Sequence, residues 1–229
     1  MRTRPTSGNP GRPAAGLARD ARDLLLTAAT ELFGEQGVAG TTFATIARRA
    51  GLTPAMLHYY FKDREELLDV VVEERLCPLL AYVWGPVAEG EDPAELIRGI
   101  VQRLLDAIER SPWVPSTWMR EILNERGLLR GRLLPRLPYE KLRIVSQAIA
   151  RGQGAHTLNP DIDPRLVVFS TLGLVMVHMS TVKVWAEIFQ TKPLSREVMG
   201  RHITALLLDG VRHKGHAARG QGMRGKKKR

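Results

Sequence analysis

Between residues 41 and 68, the chain concentrates side chains that can bind the phosphates and bases of DNA. Hydroxyl groups, amide groups at helix N-termini and cationic side chains are common ligands of phosphate. The segment supplies such groups at Thr42, Thr45, Arg48, Thr53, Tyr60, Lys62 and Arg64. It also holds Pro54, Ala55 and Met56, whose apolar surfaces suit the methyl group of thymine. These residue types predict recognition of a DNA duplex.

The sequence contains none of the short motifs that mark common catalytic centres. It has no Gly-x-Ser-x-Gly, no His-Glu-x-x-His, no phosphate-binding loop and no pair of cysteines. The single cysteine, Cys77, excludes an internal disulfide and a cysteine-clustered zinc site, and it suits a reducing cytoplasm. We therefore expect a cytoplasmic protein, nucleoid-associated when bound to DNA, with no enzymatic activity, no metal and no cofactor.

Hydrophobic spacing predicts that the DNA-binding side chains lie on two short helices joined by a turn. The first helix has a buried face at i, i+3, i+4 and i+7, formed by Phe43, Ile46, Ala47 and Ala50. Gly51 can adopt the left-handed conformation that ends this helix, and Thr53 followed by Pro54 can begin the second. Asp63 and Glu66 predict a capping box for the next helix. A short helix held in this way can enter the major groove.

This segment resembles the DNA-binding domain of the TetR (tetracycline-repressor-like) family of bacterial regulators. The family pattern is met at fixed spacing by Thr41, Thr42, Phe43, Ile46, Ala47, Ala50, Gly51, Leu52, Thr53, Leu57, His58, Tyr60, Phe61, Arg64, Leu67 and Leu68. The similarity covers about the first third of the chain. The rest of the chain is similar to the family only in its length and helical content.

The resemblance implies that the second helix approaches the bases through Pro54, Ala55 and Tyr59. His58 falls on another outward face and is included among the DNA-binding candidates, whereas Leu57 is expected to point into the core. The helix carries no Arg, Asn or Gln, which are the side chains that make bidentate contacts to bases.

Three of the phosphate-binding candidates have a structural alternative. Thr42 and Thr53 can cap their helices, and this role is compatible with binding phosphate. Tyr60 can be partly buried instead of contacting DNA. Thr45 and Arg48 lie on the side of the first helix that is expected to be exposed.

The positive charge of the chain is concentrated at its two ends. The formal net charge is +10, with four arginines and no acid in residues 1–19 and eight Lys or Arg and no acid in residues 210–229. We expect both ends to be disordered, and such ends often contact nucleic acid. Arg12 stands between Gly11 and Pro13, as in minor-groove-binding AT-hook peptides. The alternative is that the charged ends only keep the protein soluble.

The remaining sequence predicts an all-α protein with two helical domains. We expect a disordered basic arm at 1–18, a helix-turn-helix domain of three helices at 19–77, a larger ligand-binding and dimerisation domain at 78–213, and a disordered basic tail at 214–229. No alternating pattern typical of a strand is present. The longest apolar stretch, residues 166–177, is interrupted by Ser170 and Thr171 and is shorter than the ~20 residues of a membrane span, which favours a buried helix.

Large apolar side chains in the second domain predict a pocket for a small apolar or aromatic effector. The candidates are Trp113, Trp118, Met119, Phe169, Met176, His178 and Met179. Aromatic and thioether walls with a few polar groups suit such a molecule. The alternative is that these side chains form an ordinary core, with His178 hydrogen-bonded inside it.

The last two helices are apolar nearly all round, so both must be covered on more than one side. The resemblance implies that they pair with their copies in a four-helix dimer interface. The residues expected there are Leu166, Val167, Leu174, Val182, Trp185, Ile203 and Leu207.

These observations predict a ligand-responsive transcriptional regulator. It would bind a palindromic operator as a homodimer and leave it when a small molecule fills the second domain. Repression rather than activation is implied by the family resemblance alone. The alternative is an architectural DNA-binding protein that needs no effector and uses its basic arm and tail.

Overall fold

A computed structural model describes residues 15–211, and within this range every regular element is helical. The expected all-α class is confirmed. Side chains are described from Asp20 onwards. The basic tail, and all of the expected basic arm except residues 15–18, lie outside the described residues. Residues 15–18 belong to the first helix, which begins at Ala15, four residues before the expected start of the domain at residue 19.

The chain divides into two compact units between Leu68 and Asp69, earlier than the expected boundary after residue 77. The first unit contains α1 (Ala15–Gln36), α2 (Phe43–Arg49), α3 (Pro54–Tyr60) and the beginning of α4 (Arg64–Val71). Its core contains Leu25, Leu26, Phe33, Ile46, Leu57, Phe61, Leu67 and Leu68. The helix-turn-helix is therefore built around apolar residues at the spacing that the sequence shows.

Local interactions define the ends of these short helices. Thr42 and Thr45 form a reciprocal capping box at the start of α2, and Gly51 has a φ of 68° in the turn that follows. Asp63 accepts a hydrogen bond from the Glu66 amide at 2.9 Å. The Thr53 side chain makes no capping hydrogen bond, so the cap expected at α3 is not formed.

The second unit continues α4 through a π-helical turn, Val72–Leu76, into α5 (Cys77–Trp84). Pro78 lacks the amide hydrogen of a regular helix, and a local π-turn is a common way to absorb such a defect. The unit also contains α6 (Pro93–Arg110), α7 (Val114–Thr117), α8 (Arg130–Leu133), α9 (Tyr139–Gly154), α10 (Pro164–Ile188) and α11 (Arg196–Val211). A second π-turn, Trp118–Ile122, follows α7, and a 3₁₀ turn, Leu134–Arg136, follows α8.

Helix α10 is packed on one side and exposed on the other. Asp163 caps its start by accepting from the Arg165 amide at 2.9 Å, and the side-chain hydrogen bond from Arg165 lowers the pKa of Asp163 to about 2. Val167, Val168 and Val175 are buried in the core of the unit. By length and composition alone, α10 could cross a membrane. Within the chain, 28% of its most apolar stretch of 18 residues is buried. The expectation that this stretch is a buried helix is therefore wrong for one of its faces.

Candidate DNA-binding surface and ligand cavity

Helix α3 presents one face to solvent and one to the core of the first unit. Leu57 is fully buried, whereas Pro54, Ala55 and His58 are exposed and Met56 is half-buried. Tyr59 is 64% exposed, and its ring meets the edge of the Tyr60 ring at 5.0 Å between centroids. The His58 ring packs at 5.1 Å on Phe43 of α2. The side chains predicted to approach bases therefore share the outward side of one helix.

The threonine hydroxyls differ in their availability. The Thr42 and Thr45 side chains are bonded to each other and to each other's backbone, with Thr45 Oγ1 donating to the Thr42 carbonyl at 2.7 Å. Thr53 is exposed, and its hydroxyl is not used as a cap. Its position just before α3 places it beside amide groups that have no partner within the helix.

The expected contact of Tyr60 with phosphate is wrong. Its hydroxyl oxygen is buried and has no hydrogen-bond partner in the structure. A buried hydroxyl cannot reach a phosphate on the protein surface. Partial burial, the alternative left open by the sequence, is what the structure shows.

Arg64 has a structural position that the sequence did not reveal. Its guanidinium donates to the Thr41 carbonyl at 2.7 Å and also to the Val38 carbonyl. These bonds join the start of α4 to the turn between α1 and α2. Because the guanidinium is used inside the unit, the structure favours a positioning role over the predicted phosphate contact.

Arg48 and Lys62 are the candidate cations whose side chains remain available. Both are exposed, and neither side chain forms an ion pair with a residue that the structure describes. The adjacent Arg49 is different, since it bonds to Glu35 at 2.7 Å and to Glu31 at 3.3 Å. This bond from Arg49 lowers the pKa of Glu35. Arg12 lies outside the described residues, so its predicted role in the minor groove stays a prediction.

The second unit contains a cavity of about 500 Å³. Its walls include Trp118, Met119, Phe169 and Met176, four of the residues that were expected to line a pocket. The other lining residues are mainly aliphatic and come from α5, α6, α7, α8, α9, α10 and the turns between them. A cavity of this size and lining is typical of sites for small molecules.

Three expected pocket residues lie elsewhere. Trp113 and Met179 pack against the core of the second unit. The His178 Nδ1 atom is 2.6 Å from the Leu174 carbonyl, and the ring lies 6.0 Å from that of His202. These three residues are not among those that line this cavity, which differs from the prediction.

The polar lining of the cavity was missed in the sequence. Arg130 and Tyr139 both contribute to the walls. The Tyr139 hydroxyl donates to the Leu134 carbonyl at 2.7 Å, and Arg130 Nη1 donates to the Ile122 carbonyl at 2.8 Å. The repeated pairing of leucines with arginines in residues 128–137 was the available signal, because it gives this segment one apolar and one basic side.

The residues expected at a dimer interface fall into two groups. Leu166 and Trp185 are exposed, and Leu174 and Val182 are half-buried. The remaining three are buried in the core of their own chain, so placing them at an interface is wrong: Val167, Ile203 and Leu207. Other apolar side chains on α10, α11 and the turn between them are exposed instead, namely Phe169, Val177, Val184, Ile188, Phe189, Leu194, Val198 and Leu206.

Across residues 15–211, no group of three or more His, Cys, Asp or Glu side chains is arranged to hold a metal ion. Within residues 15–211, the outward face of α3 and the apolar cavity are two candidate functional sites. Together they define a helix-turn-helix DNA-binding protein with a separate small-molecule cavity.

Comparison with known proteins finds relatives of the DNA-binding domain and of the whole fold. Residues 25–71 match the family model described as bacterial regulatory proteins, tetR family. Over 202 residues the chain is 24% identical to the transcriptional repressor KstR2 of Mycolicibacterium smegmatis, covering 88% of this chain and 95% of that protein. Over 107 residues it is 28% identical to the transcriptional regulator BetI of Rhizobium meliloti, covering 47% of this chain. The match spans about half (53%) of that relative.

A solved structure shows the same fold. The ketosteroid transcriptional regulator KstR2 of Mycobacterium tuberculosis matches with a TM-score of 0.67 at 22% identity, covering 83% of this chain and 94% of that one. The family match identifies residues 25–71 as a DNA-binding domain of the TetR type, and the structural match shows that the shared fold extends over most of the chain.

Proposed function

We propose that this protein is a ligand-responsive transcriptional repressor that binds a palindromic operator as a homodimer and is released by a small apolar effector. The observation that carries the proposal is an apolar cavity of about 500 Å³ in a chain that also holds a helix-turn-helix. A protein that only organised DNA would have no need of such a cavity. An effector that prefers one conformation of the cavity shifts the whole protein towards that conformation.

The exposed face of α10 supports a homodimer. The exposed apolar residues Leu166, Phe169, Val177, Val184 and Ile188 share one side of the helix, and we call them the α10 stripe. The opposite face packs on α6 and α9 of the same chain. Large exposed apolar patches mark interaction surfaces. A second copy, related by a two-fold axis, would cover the stripe and give the operator its two-fold symmetry.

The segment after the second π-turn supplies a connection between the cavity and α4. Leu133, Leu134 and Leu137 line the cavity. In the same segment, Arg132 pairs with Asp69 at 2.7 Å and Arg136 pairs with Glu73. Both acids belong to the helical stretch that begins at Arg64 in the helix-turn-helix unit. A ligand that shifts these leucines therefore also shifts the partners of that helix.

Fluorescence anisotropy tests the DNA-binding half of the proposal. The full chain is titrated against the duplex upstream of its own gene and against a scrambled duplex, at several salt concentrations. A sequence-specific regulator should prefer its operator by ~10³-fold or more. Equal and steeply salt-dependent binding would also arise if the operator lay elsewhere, so selection from a random duplex library follows. Failure to enrich any site would favour the architectural alternative and contradict the proposal.

A further inference from the structure

We propose that the cavity binds an amphiphile whose anionic group pairs with Arg130 while its apolar body fills the remaining volume. This inference rests on the proposed function, because it names the chemical class of the effector. Cationic molecules should therefore not bind in the cavity, and neutral molecules should bind more weakly than anionic ones.

Among the described residues that line the cavity, Arg130 is the only charged one. It is half-buried, and its hydrogen bond within the described chain is the one that Nη1 donates to the Ile122 carbonyl. No described carboxylate lies within ion-pair distance of it, although Arg132 and Arg136 nearby each have an acidic partner. Glu121, a buried acid of the same region, accepts from the Leu128 amide at 2.9 Å and does not line the cavity.

A cation beside apolar walls indicates a specific kind of ligand. Removing a charge from water is costly unless an opposite charge or hydrogen bonds replace the solvent. A guanidinium offers five N–H donors in a planar fork, which fits the two oxygens of a carboxylate or phosphate. Within the described chain the guanidinium donates one hydrogen bond, to the Ile122 carbonyl, so its other N–H groups can bind an anion on the ligand.

The rest of the lining does not oppose an anion. Of the residues that the structure describes, no acidic side chain lines the cavity, and the Tyr139 hydroxyl donates its hydrogen to the Leu134 carbonyl. The other walls are apolar, as around Trp118, Phe169 and Met176. An apolar body with one acidic group therefore matches both the walls and the charge, whereas an amine would face an uncompensated repulsion from Arg130.

The test uses displacement of a neutral reporter, N-phenyl-1-naphthylamine, whose fluorescence rises in apolar surroundings. Decanoate, decyl phosphate, decanol and decylamine compete against it on the full-length protein. We expect the better of the two anions to displace the reporter at a concentration roughly tenfold or more below that of decanol, as expected for a charge-assisted bond. Decylamine should be the weakest. Comparing decanoate with decyl phosphate tells a carboxylate effector from a phosphate-bearing one.

Matched variants assign the preference to one side chain. Arg130→Met should bring both anions to the level of decanol, and Arg130→Lys should keep part of the preference. Arg126→Met is the control, because it removes the same charge from an exposed residue that does not line the cavity. Gly173→Leu should exclude the reporter itself, since Gly173 lines the cavity and has open space beside its α-carbon.

The outcomes separate the anion-binding role of Arg130 from the effector site of the proposed function. If decanol competes as well as both anions in the unaltered protein, the role of Arg130 is overturned while the cavity remains an apolar site. A preference for anions that persists in Arg130→Met would also overturn the role of Arg130. If the reporter does not bind, or binds equally to Gly173→Leu, the effector site of the proposed function fails as well. The comparison of acid, alcohol and amine needs no variant, so it holds even if Arg130→Met does not fold.

Discussion

Arg64 and Arg48 provide a sharp test of which basic residues stabilise the first unit and which are free for DNA. The Arg64 guanidinium donates to the carbonyls of Thr41 and Val38, two residues that are buried. Hydrogen bonds to charged groups contribute roughly 1.5–3 kcal/mol each. When Arg64 is removed, water can bind one of the carbonyls that it leaves, and the Val38 carbonyl keeps a hydrogen bond from the Thr41 amide at 3.0 Å. We therefore expect Arg64→Ala to lower the free energy of unfolding by about 2–4 kcal/mol.

Arg48→Ala is the matched variant, because Arg48 is exposed and has no ion pair with a described residue. Its free energy of unfolding should change by less than about 0.5 kcal/mol. Operator binding should weaken, and the slope of log affinity against log salt should fall by about one, as for loss of one phosphate contact. Arg64→Lys should be intermediate in stability because an ammonium group cannot reproduce a two-pronged contact.

Urea denaturation followed by far-ultraviolet circular dichroism and by tryptophan fluorescence measures the effect on each unit. All four tryptophans lie beyond Leu68, so fluorescence reports the second unit and dichroism reports both. We expect Arg64→Ala to move the dichroism transition to lower urea. The reasoning would be refuted if Arg64→Ala left the urea transition unchanged and lowered the slope of log affinity against log salt by about one, as for loss of one phosphate contact.

Three further predictions concern other surfaces. Tyr59→Ala, which removes a ring that is 64% exposed, should leave the unfolding midpoint unchanged and weaken operator binding by about 1–3 kcal/mol in anisotropy titrations; unchanged affinity would remove Tyr59 from the interface. Ile188→Glu, at a position that is 59% exposed, should shift the protein from dimer to monomer in sedimentation experiments while its helical dichroism persists; a dimer that survives would place the interface elsewhere. In operator titrations, Gly173→Leu should keep DNA binding but abolish release by an effector, because the leucine occupies the cavity; release that is still complete would mean that the effector binds outside it.

The local features of the first unit could be predicted because neighbouring residues determine them. The helix cap at Thr42, the turn at Gly51 and the burial of Leu57 depend on spacing within a few residues, and the structure contains all three. The hydrogen bonds of Arg64 could not be predicted, since they join residues that are 23 and 26 positions apart. From sequence alone, a cationic side chain in a helix-turn-helix is predicted to bind phosphate, because its partners within the protein are not yet known.

The second unit was less predictable for a related reason. On an apolar helix such as α10, hydrophobic periodicity does not distinguish a face packed inside the chain from a face covered by a second subunit. Val167 is therefore buried in its own core while Phe169, two residues later, is exposed. Arg130 was missed because its significance depends on walls contributed by several distant helices.

The cavity and the α10 stripe share residues, since Phe169 and Val177 belong to both. If a second copy covers the stripe, effector binding and subunit association become linked equilibria, and each changes the other by the same factor. The apparent affinity for effector would then depend on how much protein the cell contains. A gene that represses its own synthesis under such a link would tune its sensitivity to the inducer through its own abundance.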